Sequence, residues 1–319
     1  MTPTLILGGY LGAGKTTLVN HLLRHADGRR IAVMVNDFGE LTIDADLIEG
    51  ADEGVLTLAG GCVCCSIGSD LIGALQDVLG RSRPPELILI ETSGVALPAA
   101  VARSARLLPD LCIEGIVVVL DAQTVRERSA DPYVGDLVRQ QLLEADLLIL
   151  NKIEQCNAAE QADLHRWLGA MTAPGTPIVP ASQAHVPPEL VLGFRAQSLE
   201  PADVPQAQSL SRWQAKPIGR AGDPASLRFV SELVTLPAAL DPQPLLLALG
   251  DPAAGIVRAK GWITDLSGQR HLLQQVGRRI ELTPLTTQTP APGPDRLLVI
   301  GLAALYRRDN LPVNPSLKT

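Results

Sequence analysis

Apolar runs with no polar alternation recur along the first two thirds of this 319-residue chain, at Thr4–Leu7, Arg30–Val35, Val55–Leu58, Leu87–Ile90, Gly115–Leu120, Asp146–Leu150 and Pro177–Val179. Each is of strand length and offers no regular polar position to water, so each reads as a strand buried on both faces. Helical spacing fills several intervals. Leu18, Val19, Leu22 and Leu23 follow the first run, and longer helical stretches cover Ser66–Leu79, Pro132–Glu144 and Ala158–Met171. Buried strands alternating with helices predict a parallel sheet covered on both sides, an α/β domain over residues 1–196. Ligands of such sheets sit beyond the carboxyl ends of the strands.

The pattern breaks between Gln197 and Ala225, where prolines recur and no period survives; this reads as a linker. It resumes over 226–319 as a smaller α+β domain. Strands are expected at Leu227–Leu236, Ile256–Thr264, His271–Leu282 and Arg296–Ile300, with a short helix near Pro242–Leu249. No chemistry is evident in this second part.

A net charge of −7 argues against a nucleic-acid partner, which would want a basic surface. No apolar run reaches the length of a bilayer span. The chain enters its first strand almost at once, leaving no room for a charged leader, so a cytoplasmic location is expected.

The first run leads into Gly9-Tyr10-Leu11-Gly12-Ala13-Gly14-Lys15-Thr16, which fits G-x-x-x-x-G-K-[ST]. Strand, glycine-rich loop and helix N-terminus make an anion cradle, because backbone N–H groups and the helix dipole both face inward. The fold expected is therefore a P-loop NTPase. Gly9, Gly12, Ala13, Gly14, Lys15, Thr16 and Thr17 would hold the phosphates, with Lys15 reaching the β- and γ-phosphates and the Thr16 hydroxyl on Mg²⁺.

Other loops fall at the same edge of the expected sheet. Asn36-Asp37-Phe38-Gly39-Glu40, running on to Asp44, lies where a magnesium-sensing switch would lie, although taken alone it reads as a solvated turn; Asp44 is a candidate for Mg²⁺ and for catalysis. Glu91-Thr92-Ser93-Gly94 ends a hydrophobic strand on a carboxylate suited to the metal's water shell, and the Gly94 N–H could meet the γ-phosphate. Glu40, Asp44 and Glu91 are candidates for orienting the attacking water. Asn151-Lys152-Ile153-Glu154 resembles the guanine signature Asn-Lys-x-Asp with one methylene added at Glu154, so GTP is expected over ATP.

Cys62, Cys64 and Cys65 crowd into Gly61-Cys62-Val63-Cys64-Cys65. In a reducing compartment such a cluster reads as metal ligands or redox thiols rather than a staple. Thiolates favour Zn²⁺ or Cu(I), with Co²⁺ and Ni²⁺ open, and two or three sulfurs leave a position suited to a carrier. Cys112 and Cys156 read as packing residues. His21 and His25, four apart on the first helix, have the spacing of a metal pair but read as its polar, solvated face.

Together these motifs, with Arg258-Ala259-Lys260-Gly261-Trp262 farther on, resemble the CobW-type GTPases, a family related to the nickel-insertion GTPases HypB and UreG. The resemblance covers nearly the whole chain. It implies a GTPase that uses GTP and Mg²⁺ and delivers zinc, cobalt or another transition metal to a client metalloprotein, with dimerisation a possible aid to turnover. Three positions depart from the family pattern. Glu154 stands for the usual aspartate, Val35 stands where some members carry a carboxylate, and the five histidines form no rich stretch. Two other readings stay open: a nucleotide-gated binding module with incidental or redox-active cysteines, and a small-molecule kinase.

Overall fold

The computed structural model describes residues 1–26, 28–35, 55–59, 69–193, 216–217, 229–285 and 295–312, and Met1–Leu192 and Gly193–Thr319 form two compact units. In the first, β1 (Thr2–Gly8), β2 (Ile31–Val35), β3 (Val55–Ala59), β4 (Leu87–Glu91), β5 (Leu111–Asp121), β6 (Leu147–Asn151) and β7 (Ile178–Pro180) form one sheet. Their order is β3-β2-β4-β1-β5-β6-β7, and every pairing is parallel. The apolar runs of the five inner strands thus find a strand neighbour on both sides, and β3 and β7 close the edges. The core they build includes Ile6, Ile88, Ile90, Val118, Leu148 and Leu150. Removing such a side chain from water contributes about 1.5–3 kcal/mol, which is why these strands tolerate no polar alternation.

Three local features depart from the sequence pattern. β5 starts at Leu111, four residues before Gly115, because Leu111–Ile113 pair with Thr2–Thr4; the register then slips between Thr4 and Leu5, so Glu114 is skipped. Two short helices, α3 (Pro98–Ala105) and α4 (Val125–Ala130), fill intervals the spacing left open. Pro98 sits in the first turn of α3, where a missing N–H is harmless. The helix expected from Pro132 begins instead at Gly135 as α5 (Gly135–Glu144). Asp131 forms the preceding turn, its carboxylate accepting from the Tyr133 and Val134 N–H groups. The other helices of this unit are α1 (Lys15–Arg24), α2 (Ser69–Leu79), α6 (Ala158–Met171) and α7 (Pro188–Leu192). An Asn157/Glu160 capping box opens α6.

The second unit is a six-stranded antiparallel sheet built from β8 (Lys216–Pro217), β9 (Phe229–Thr235), β10 (Ile256–Thr264), β11 (Arg270–Val276), β12 (Arg279–Pro284) and β13 (Arg296–Leu302). The single strand expected over His271–Leu282 is two, folded back at Gly277 (φ 55°). Helix α8 (Pro242–Gly250) packs Leu245 and Leu249 against Ala259, Ile263, Leu273 and Leu297. Lys216–Pro217, inside the stretch expected as linker, pair with Ser231 and Val230 of β9. No helix among the described residues is long and apolar enough to cross a membrane.

Candidate nucleotide-binding site

Strand register brings the chemistry to one edge. Leu7 pairs with Glu91 and Val35 pairs with Glu91 on its other side, so β1, β2 and β4 end together; Gly8 pairs with Val118 and Asp121 with Asn151, so β5 and β6 run three residues farther at the same edge. Beyond β1 the chain turns through Gly9, Gly12 and Gly14, each with positive φ, and enters α1 at Lys15. Gly14 (φ 101°) is the helix cap, and no side chain supplies a capping bond there. The first-turn amides of α1 therefore face the loop and favour an anion. Lys15 is buried at this mouth, its Nζ 3.5 Å from the Tyr10 carbonyl oxygen.

The Thr16 hydroxyl donates to Glu91 Oε1 at 2.9 Å, across 75 residues of sequence. Glu91 is 2 % exposed. A buried carboxylate beside a hydroxyl at a phosphate loop is a hard, all-oxygen donor pair, which fits Mg²⁺. The loop that follows is well tied. The Thr92 N–H donates to the Leu7 carbonyl at 2.8 Å, and the Ala96 N–H returns to the Ser93 carbonyl at 3.0 Å.

Asn151 fastens a second wall. Its Nδ2 donates to the Ala13 carbonyl at 2.9 Å, and its Oδ1 accepts the Ala184 N–H at 2.7 Å, so one amide joins the phosphate loop to the loop after β7. Lys152 adopts φ 61° and pairs its ammonium with Asp121 Oδ2 at 2.7 Å. Among the described residues the non-glycine positions with positive φ are Lys152, Gln183 and Ala184, all beside this amide. Left-handed backbone at such residues costs about 1–3 kcal/mol each and tends to persist at functional sites. Glu154 lies exposed on the short turn Ile153–Gln155 of the same loop. Spacing did not single out Asp121 or the 182–184 loop. The signal for Asp121 was available, since it ends a long apolar strand as Glu91 does. Asp121→Asn should weaken GTP binding about tenfold, because the Lys152 ammonium would lose its carboxylate. Calorimetric titration of wild type and variant checks this, and unchanged affinity would deny Lys152 a role.

The first-helix histidines correct the sequence expectation. His21 is 7 % exposed, not solvated, and its Nε2 donates to the Val186 carbonyl at 2.8 Å. The rings of His25 and His185 each lie 4.6 Å from the His21 ring. His21 is three residues from Leu18, so helical geometry keeps it near the buried face. No group of metal-ligating side chains is assembled among the described residues. Cys156 is half-buried, and burial, followed by the carboxylates of Glu160, Asp121 and Glu154, pushes its thiol up. That suits an unreactive residue. Cys112 is also half-buried, in β5. Cys62, Cys64 and Cys65, with Glu40, Asp44 and the rest of the 36–44 switch, lie outside the described residues.

A glycine-rich turn from the central strand into a helix, a buried carboxylate on the helix threonine and a parallel sheet define a P-loop nucleotide-binding domain. Residues 3–179 match the family described as CobW/HypB/UreG, nucleotide-binding domain, and 229–308 match the cobalamin synthesis protein cobW C-terminal domain. The chain belongs to the CobW/HypB/UreG family. It is similar to a zinc chaperone CobW of Sinorhizobium sp, 29% identical over 311 residues, covering 88% of this chain and 86% of that one. A zinc chaperone CobW of Pseudomonas aeruginosa is 34% identical over 227 residues, 61% of this chain and 60% of that one. The zinc-regulated GTPase metalloprotein activator 1 of Schizosaccharomyces pombe is 33% identical over 162 residues, 48% of this chain and 39% of that protein. The resemblance and the fold class expected from sequence are both borne out.

Proposed function

We propose that this chain is a GTP-hydrolysing metal chaperone that holds zinc at Cys62, Cys64 and Cys65 and releases it to a client metalloprotein as its nucleotide changes. The observation that carries the nucleotide half is the Thr16–Glu91 hydrogen bond at the mouth of the phosphate loop. The metal half rests on the Cys-x-Cys-Cys run and on relatives named zinc chaperones. Co²⁺ and Ni²⁺ are further cargoes that thiolates can take.

Each residue then has a task. The amides of Gly12 to Thr17 and the Lys15 ammonium bind the β- and γ-phosphates. Thr16 and Glu91, with Asp44, would hold Mg²⁺, which when bound would neutralise phosphate charge. Asn151 shapes the base pocket, Lys152 lines it, and Glu154 accepts from the guanine edge. Water attacks the γ-phosphorus; the new P–O bond forms as the bond to the β–γ bridging oxygen breaks. GDP leaves with that electron pair, and the water's proton passes to phosphate or solvent. Lys15 faces the charge that develops. Loss of the γ-phosphate frees the Gly94 loop and the 36–44 segment, and the sulfur site changes with them. A homodimer is an additional way to complete the site.

Linkage makes the proposal measurable. If GTP raises zinc affinity by some factor, zinc must raise GTP affinity by the same factor. Zinc titrations of wild type and Cys64→Ser, each with a non-hydrolysable GTP analogue or GDP, should give nucleotide-dependent binding in wild type and at least tenfold weaker binding in the variant. Phosphate release is followed alongside. Equal zinc affinity in both nucleotide states would sink the chaperone switch while leaving a GTPase.

A further inference from the structure

The mechanism above leaves unused one polar side chain buried in the apolar core beside the site. Gln141 lies on α5 between Val138 and Leu142, both in the core, and is itself 1 % exposed. An amide in such a place is costly unless its hydrogens are taken up. Both go to a single loop. Gln141 Nε2 donates to the Gly94 carbonyl at 3.2 Å and to the Ala96 carbonyl at 2.8 Å. These are residues of the turn that leaves Glu91.

The opposite side of that turn is equally constrained. A Cβ on Gly94 would come within 2.7 Å of the Leu11 backbone nitrogen and 2.6 Å of its Cδ2, so the phosphate loop and Gly94 already touch. Gly94 is therefore held at its carbonyl by Gln141 and confined at its Cα by Leu11. The Ala96 N–H turns back onto Ser93, whereas among the described residues no bond takes up the Gly94 N–H. One helix turn farther on, Glu144 Oε2 accepts the Ala99 N–H at 3.1 Å, fixing the start of α3 from the same helix.

We infer that Gln141 is a positioning residue for triphosphate recognition: by holding the Gly94 carbonyl it fixes the turn at Gly94, so that the N–H of Gly94, in the preceding peptide, points at the γ-phosphate. The inference rests on the GTP reading above and deepens it. GDP has no group at that position, so the grip matters to the triphosphate and is indifferent to the diphosphate. A side chain that served packing alone would affect both nucleotides alike.

The test uses the full-length protein with Mg²⁺. Gln141→Met keeps length and bulk but removes both donors, and Gln141→Glu, similar in size, removes them differently should the first variant not fold. Leu142→Ala, on the same helix turn, controls for packing. Affinities for a non-hydrolysable GTP analogue and for GDP are measured by calorimetry, with kcat and KM for GTP. Loss of the Gln141 donors should weaken the analogue about tenfold, leave GDP within twofold and raise KM. Leu142→Ala should lower the melting temperature and leave the analogue-to-GDP ratio unchanged. Variants that keep the wild-type ratio, or weaken both nucleotides equally, would overturn the positioning role alone. A wild type that binds neither nucleotide would overturn the GTP reading and this one with it.

Discussion

Replacing Glu91 by glutamine should leave a folded protein that still binds nucleotide but releases phosphate about 100-fold more slowly. The side chain is the same size, and its remaining oxygen can accept the Thr16 hydroxyl, which now lies 2.9 Å from the carboxylate. What disappears is a full negative charge at the end of β4, at a position almost sealed from water. In such surroundings charge acts far more strongly on a divalent cation than it does at the surface. Phosphate release followed against Mg²⁺ concentration measures the effect. The variant should need much more Mg²⁺ to reach half its rate, and an unchanged Mg²⁺ requirement would remove Glu91 from the cation's surroundings.

Gly14→Ala should abolish nucleotide binding, with affinity falling at least about 100-fold, and Gly12→Ala should not. Both glycines have positive φ, 101° and 74°, so both alanines meet backbone strain of about 1–3 kcal/mol. The difference is what the new methyl touches. At Gly12 nothing lies within 4 Å of it, whereas at Gly14 it arrives 2.5 Å from Asn151 Nδ2. That nitrogen holds the Ala13 carbonyl, so the methyl group pushes on the tie between the phosphate loop and the loop after β7. Loss of a buried hydrogen bond and the strain then add at one point. Titration of both variants with GTP and GDP, beside their melting curves, separates the local effect from unfolding.

The strands were legible because their neighbours on both faces are apolar, and that leaves a signature in any window of five residues. The phosphate loop was legible because its three glycines, lysine and threonine are contiguous. Glu91 and Asn151-Lys152 could be found because each ends an apolar run. Gln141 could not be placed by motif, since its two acceptors are 47 and 45 residues away. A weaker signal existed: it sits three residues beyond Val138 and next to Leu142, in the buried stripe of its helix. A polar residue in that stripe must find partners. His21 escaped in the same way, because long-range packing against Val186 and His185 decided its burial rather than the residues beside it. The split at Gly277 was missed because two short strands with similar residues read as one long one. Asp121 shows the opposite case, a signal present but not used.

The order of strands also governs when this protein can first hold its nucleotide during synthesis. β1 is made before its two hydrogen-bonding neighbours, β4 and β5, which end at Glu91 and Asp121. The two loops joined by Asn151 are separated by 171 positions, from Ala13 to Ala184. Strand β1 therefore waits, apolar and unpaired, while nearly half the domain is made, the interval in which parallel sheets are most exposed to aggregation. GTP cannot shorten that wait, because its cradle is complete only once the last wall has emerged. Nucleotide stabilises the finished domain and is no guide to the growing chain.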